Sequence, residues 1–444
     1  MKKSILRQQT VEVATFAAVL FVAVAGCGRG GNKGETKTAA QPASDFAGKI
    51  QAIKQAGEPV KLADLEAWYP TPPVDQNAAP LYAAAFAALV ETDAKSPAFL
   101  TKNSKVLGLL HEAAQKTRCR YPVDFAAGYN ATFPHLPKIK TCVLLLKEAT
   151  AFHAANGKMD LVAQDVGDGL RVAASLEQEP ILISQLVRIA ALQITVHALA
   201  EALGRHPLSE AQLAKLQSAL WQAEQPGAEG FTRCLVTERC SGITTFQSSP
   251  AELAQFLAQA AEVSQEPGFK KEASELADYQ RQPKYAADFA FYLDQMASLI
   301  ACAKSPLAFS CLVTNAWKTQ VDAGIAKGCV LSGILLPSLS KAIERSATAV
   351  AELRAAQTAL AVERFRLANG QRLPDSLPQL VPQYLASVPA DPFDGQPLRY
   401  KKASPKGSVI YSIGPNLKDD GGTARAPAGQ GSTPDFDLPF AILR

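Results

Sequence analysis

Five histidines and eight cysteines are the side chains of this 444-residue sequence best suited to metal binding or nucleophilic chemistry. Their spacing forms none of the familiar devices. His111, His135, His153, His197 and His206 make no H-E-x-x-H and no pair at helical spacing, and no C-x-x-C occurs, so the patterns of zinc and iron enzymes are missing. No G-x-S-x-G elbow and no G-x-x-x-x-G-K-[ST] loop appears, which removes the commonest serine hydrolases and nucleotide hydrolases. Gly26, Gly28 and Gly31 satisfy G-x-G-x-x-G on paper, but no strand precedes them and no helix follows. Asp160, Asp165 and Asp168 lack the glycine of an EF-hand loop and are expected on a solvated helix face. His197, beside the apolar stripe of a helix, is expected to be a satisfied interior histidine rather than a proton shuttle.

The first residues give an address. Lys2, Lys3 and Arg7 form a positive head, and Ala14 to Gly26 is an apolar run too short for a permanent membrane span, the pattern of a secretory signal over residues 1–26. Val24-Ala25-Gly26-Cys27 resembles the bacterial lipobox, which implies cleavage after Gly26 and lipid on Cys27. More than one acyl chain on that cysteine would anchor the protein stably to a membrane. Residues 27–44 then have the Gly, Lys, Thr, Ala and Pro content of a flexible tether, with a reach of roughly 20 to 25 Å. The mature chain keeps 42 basic and 40 acidic side chains. That balance argues against nucleic acid as a partner, and 48% hydrophobic residues argue against disorder.

Export lets thiols pair. Cys119, Cys142, Cys234, Cys240, Cys302, Cys311 and Cys329 remain after Cys27, an odd set equally compatible with simple buried thiols. Cys234 and Cys240 could bridge only if their helix breaks near Ser241-Gly242.

The elements that must carry all this are mainly α. Residues 45–328 show apolar positions at three- and four-residue spacing, interrupted by short Pro, Gly or Asn breaks, which predicts an irregular antiparallel helical bundle or array. Helices are expected over Leu81–Asp93, Ser104–Lys116, Ile139–Ala155, Asp160–Glu177, Ile181–Leu203, Ala251–Glu262 and Tyr285–Ala303, with Ser209 as an N-cap. Tyr69 to Pro80 and Tyr121 to Pro137 are expected to be extended, with Phe125, Tyr129 and Phe133 filling gaps between helices. The breaks are unevenly spaced, which excludes a regular solenoid.

Residues 329–444 predict a small α+β unit: a long helix over Ser338–Ala368, then Leu398 to Lys402 and Val409 to Ile413 as a β-hairpin packed on it. Asp391-Pro392-Phe393-Asp394-Gly395 is expected to turn before the hairpin. The ordered set Leu367-Ala368-Asn369-Gly370, Leu373-Pro374, Val388-Pro389, Asp391-Pro392-Phe393 and Tyr411-Ser412-Ile413-Gly414 resembles the globular domain of the type II secretion major pseudopilin. The resemblance covers about a quarter of the chain. It implies a pilin-like fold and, in the loop after Tyr411-Ser412, a calcium site drawn from Asn416, Asp419, Asp420, Asp435 and Asp437, since calcium takes several hard oxygen ligands. The sequence departs from that family in lacking an N-terminal membrane helix directly before the domain, so fibre assembly by the family mechanism is not expected. The expected function is a non-enzymatic, lipid-anchored envelope protein with a binding or scaffolding role in an envelope protein assembly, secretion or pilus machinery among the candidates. The competing readings are an enzyme acting on an envelope polymer and a structural spacer.

Overall fold

Alanine and leucine at helical spacing fold as helices over most of the chain. The computed structural model describes residues 46–90, 98–125, 127, 131–225, 227–255, 276–304, 315–404, 407–423 and 436–443. Cys27 with its signal and tether, Tyr129, Cys311, Asp435 and the end of the helix expected over Ala251–Glu262 lie outside those residues. The helices are α1 (Phe46–Gln55), α2 (Leu65–Trp68), α3 (Ala79–Ala88), α4 (Ala98–Lys102), α5 (Ser104–Ala114), α6 (His135–Ala155), α7 (Met159–Ala174), α8 (Leu182–Arg205), α9 (Glu210–Glu224), α10 (Gly227–Gln247), α11 (Lys284–Ala303), α12 (Asn315–Ala326), α13 (Val330–Leu335) and α14 (Pro337–Ala368). Strands β1 (Arg399–Lys402), β2 (Ser408–Ser412) and β3 (Leu438–Ile442) form one antiparallel sheet in that order. The protein is therefore mainly helical with a small antiparallel sheet.

Local chemistry sets several boundaries. Ser209 caps α9 as expected: its Oγ accepts from the Gln212 amide at 3.3 Å while Gln212 Oε1 accepts from the Ser209 amide at 2.8 Å. Pro80 and Pro137 correct only the ends of the two segments expected to be extended, whose described residues hold no α-helix from Tyr69 to Ala78 and from Tyr121 to Pro134. Both sit in first turns, of α3 and α6, where a missing N–H breaks no helical bond. Pro337 likewise opens α14, just after α13 ends at Leu335. α8 runs on to Arg205, two residues past the expected end at Leu203. The sheet has a third strand, β3, beyond the expected hairpin.

Packing centres on two helices. By length and composition α8 could cross a membrane, but 72% of its most apolar window is buried inside the fold. It is a core helix, touching α6, α7, α10, α14 and β3. α14 is buried without interruption from Ala355 to Glu363, so every side of it is covered there. β2 and β3 cover one side, and α8 and α9 the other. Its residues enter three apolar clusters: Leu353 and Leu360 join the large core that runs from Ala78 to Ile442, Leu339 and Ile343 the core around α10 and α11, and Ala347 and Ala351 a small one with Phe393, Ile413 and Leu438. α10 and α11 meet closely at Gly242, where a Cβ would lie 2.1 Å from the Tyr292 hydroxyl oxygen.

Truncating a fully covered leucine leaves a cavity that close-packed neighbours fill only in part. Leu360→Ala should lower the free energy of unfolding by about 2 to 5 kcal/mol in chemical denaturation. Val74→Ala, at a position 88% exposed, should leave it within about 0.5 kcal/mol of wild type.

Candidate functional site

A deeply buried polar cluster gathers on Glu179, in the connection between α7 and α8. Its carboxylate is fully buried and accepts from Tyr69 Oη at 3.3 Å, from Ser184 Oγ in the first turn of α8, and from His135 Nε2 at 3.1 Å. The Tyr121 ring stacks on His135 with centroids 4.4 Å apart, and its hydroxyl donates to Ser175 Oγ at 2.9 Å. The Tyr121 amide donates to Tyr69 Oη at 3.1 Å. Burial pushes both phenols above their ordinary range, so they act as donors. Gln185 Nε2 closes the backbone around the cluster by donating to Leu176 O and Glu179 O. The arrangement joins α2, α6, α7 and α8 through one anion, and no signal in the sequence marked Glu179.

A second pair of contacts overturns the expectation of a solvated face on α7. Asp165 and Asp168 are 8% and 6% exposed, and only Asp160 of the three lies at the surface. His153 Nδ1 stands 2.7 Å from Asp165 Oδ2, and His111 Nδ1 stands 3.2 Å from Asp168 Oδ2. α5 and α6 pack on that face of α7, which is why its acids are covered. His197 also departs from expectation: its side chain is 63% exposed, with Glu352 Oε1 at 3.9 Å.

The C-terminal unit turns on Asp391. Its carboxylate accepts from the Phe393 and Ile413 amides, from Ser412 Oγ at 2.8 Å and from Arg399 Nη1 at 2.7 Å, tying the turn to the ends of β1 and β2. The expected turn at Asp391 to Gly395 is present, with Gly395 at φ 73°. In the neighbouring loop, Asp437 Oδ1 and Oδ2 accept from the Asp420 and Gly422 amides. Asn416 Nδ2 donates to Asp420 Oδ2 at 2.8 Å, and Asp419 Oδ1 accepts from the Gly421 amide at 2.9 Å. Burial pushes the Asp437 carboxyl up despite its two amide donors. Among the described residues no three His, Cys, Asp or Glu side chains are grouped to hold a metal ion, and the four described oxygen donors of this loop serve its own backbone and side chains. Asp435 lies outside the described residues.

Cys119, Cys142, Cys234, Cys240 and Cys329 are free thiols. α10 runs unbroken past Ser241-Gly242, so Cys234 and Cys240 do not bridge. Burial pushes Cys119, Cys142 and Cys240 up to about 12, which keeps them protonated and poor nucleophiles.

No family model, no curated protein and no solved structure matches the chain.

If Glu179 is a structural anion, Glu179→Ala strands three buried donors and should lower stability by about 3 to 5 kcal/mol, with Glu179→Gln costing less. Denaturation curves of the two variants check this, and a wild-type curve for Glu179→Ala would exclude the stapling role.

Proposed function

We propose that the protein is a non-enzymatic, lipid-anchored envelope protein with a pseudopilin-like C-terminal unit, serving as a binding or scaffolding component of an envelope protein assembly. The observation that carries this reading is Val24-Ala25-Gly26-Cys27 followed by tether composition up to Ser44. Lipid on Cys27 would hold the helical body within a tether's reach of a bilayer, roughly 20 to 25 Å.

The described fold supports the non-enzymatic part through the use it makes of its polar groups. The buried acids Glu179, Asp288 and Asp391 are each engaged by donors from other segments, and the buried thiols are held protonated. A long helix followed by a hairpin, with the Asp391 turn bonded to the strand that carries Tyr411-Ser412, is consistent with the pseudopilin likeness. The long helix of that unit is covered here by α8 and α9 of its own chain. Binding through the outer surface of the body is therefore favoured over polymerisation.

In-cell crosslinking of the tagged full chain, membrane extraction and mass spectrometry test the reading. Envelope proteins should accompany the wild type, and Cys27→Ser should release the chain from membranes and lose them. Recovery of polymer fragments, or degradation of an envelope polymer by the purified protein, would make it an enzyme instead.

Calcium on the loop from Asn416 to Asp437 is a separate component of the proposal. It requires Asp420 and Asp437 to exchange their present bonds for the ion, with Asp435 joining them. At about millimolar calcium, the range of extracellular modules, the thermal midpoint should rise in wild type and stay fixed in Asp420→Asn. An unchanged wild-type midpoint would make the loop a self-bonded acidic turn.

A further inference from the structure

Asp165 and Asp168 lie three residues apart on one face of α7, each facing a histidine from a different helix. The carboxylates are buried, whereas the rings reach solvent: His153 is 19% exposed and His111 46%. Each pair thus has an acid in the core and a base that can trade protons with water. We propose that these two His–Asp pairs form a proton-responsive clasp that holds α7 against α5 and α6 while protons are bound and loosens it as they leave. The inference is independent of the envelope reading.

The surrounding charges set the direction. Asp165 faces His153 of α6 and feels Asp168 beside it. Asp168 faces His111 of α5, with Lys215 of α9 and the Tyr82 phenol of α3 in its field. Arg171, the other charge on this face, donates to Ala114 O and Lys116 O at the end of α5 and holds that end at any pH of interest. Burial raises Asp165 to about 6, more than His153 lowers it, and Asp168 adds to the rise. Burial also raises Asp168, against the pull of His111 and Lys215.

Opening α7 exposes Asp165 to water, where its ordinary value is 3.8. The closed state therefore binds more protons than the open one between about pH 4 and 6. Closure is strongest at the acid end of that window and weakens as pH rises through about 6. Opening that releases one proton changes its equilibrium tenfold per pH unit, so the full effect is up to about a hundredfold.

Hydrogen exchange of the full chain, corrected for intrinsic rates, reads this directly in peptides from α5, α6 and α7. Their protection should fall by about tenfold to a hundredfold from about pH 4 to about pH 6.5. The double variant Asp165→Asn with Asp168→Asn should abolish the fall. A second double variant, His111→Gln with His153→Gln, keeps the buried acids and removes the opposing imidazoles, so its fall should move to higher pH. Flat protection in the wild type, or the same profile in all three proteins, would overturn the clasp.

Discussion

Covering α14 on every side is the constraint that organises this molecule. A helix buried from Ala355 to Glu363 has no face left for solvent, so it needs partners all round. The sheet supplies one wall and α8 and α9 the other. Alanines at 355, 356, 359 and 361 keep that stretch of the helix narrow where these walls meet it. Because Leu339, Ala347 and Leu360 of this one helix enter different apolar clusters, the body and the C-terminal sheet share their cores through it. A likeness confined to the last quarter of the sequence thus describes a unit whose central helix is enclosed by the rest of its chain.

The buried acids follow the same logic of joining segments that are distant in sequence. Glu179 links α2, α6 and α8, and Asp391 links a turn to two strands. Asp288 of α11 accepts from the Leu331 and Ser332 amides at the start of α13 and from Tyr279 Oη at 2.8 Å. Removing a charge from water is costly, and each of these anions offsets the cost with several donors at once. Asp165 and Asp168 differ, since the histidine that meets each of them reaches solvent, whereas His135 beside Glu179 is only 6% exposed. That distinction separates fixed staples from a responsive one.

What the sequence disclosed was local. The capping pair Ser209 and Gln212, the apolar stripe of α8 and the Asp391 turn all depend on residues within a few positions of one another. β3 was not legible because Pro439 breaks the expected strand pattern. It is tolerated there because β3 is an edge strand, with Pro439 paired opposite Tyr411. The His–Asp pairs escaped for a different reason. Spacing placed Asp165 and Asp168 on a common helix face, but only the packing of α5 and α6 decides that this face is covered. His111 and Asp168 are 57 residues apart, and Glu179 is 110 from Tyr69, separations at which no local pattern speaks.

Calorimetric unfolding of the full chain tests the shared-core account most directly. If α14 ties the helical body to the sheet, both melt in one transition whose calorimetric and van't Hoff enthalpies agree. Two resolved transitions, with the sheet and α14 melting apart from the body, would contradict it.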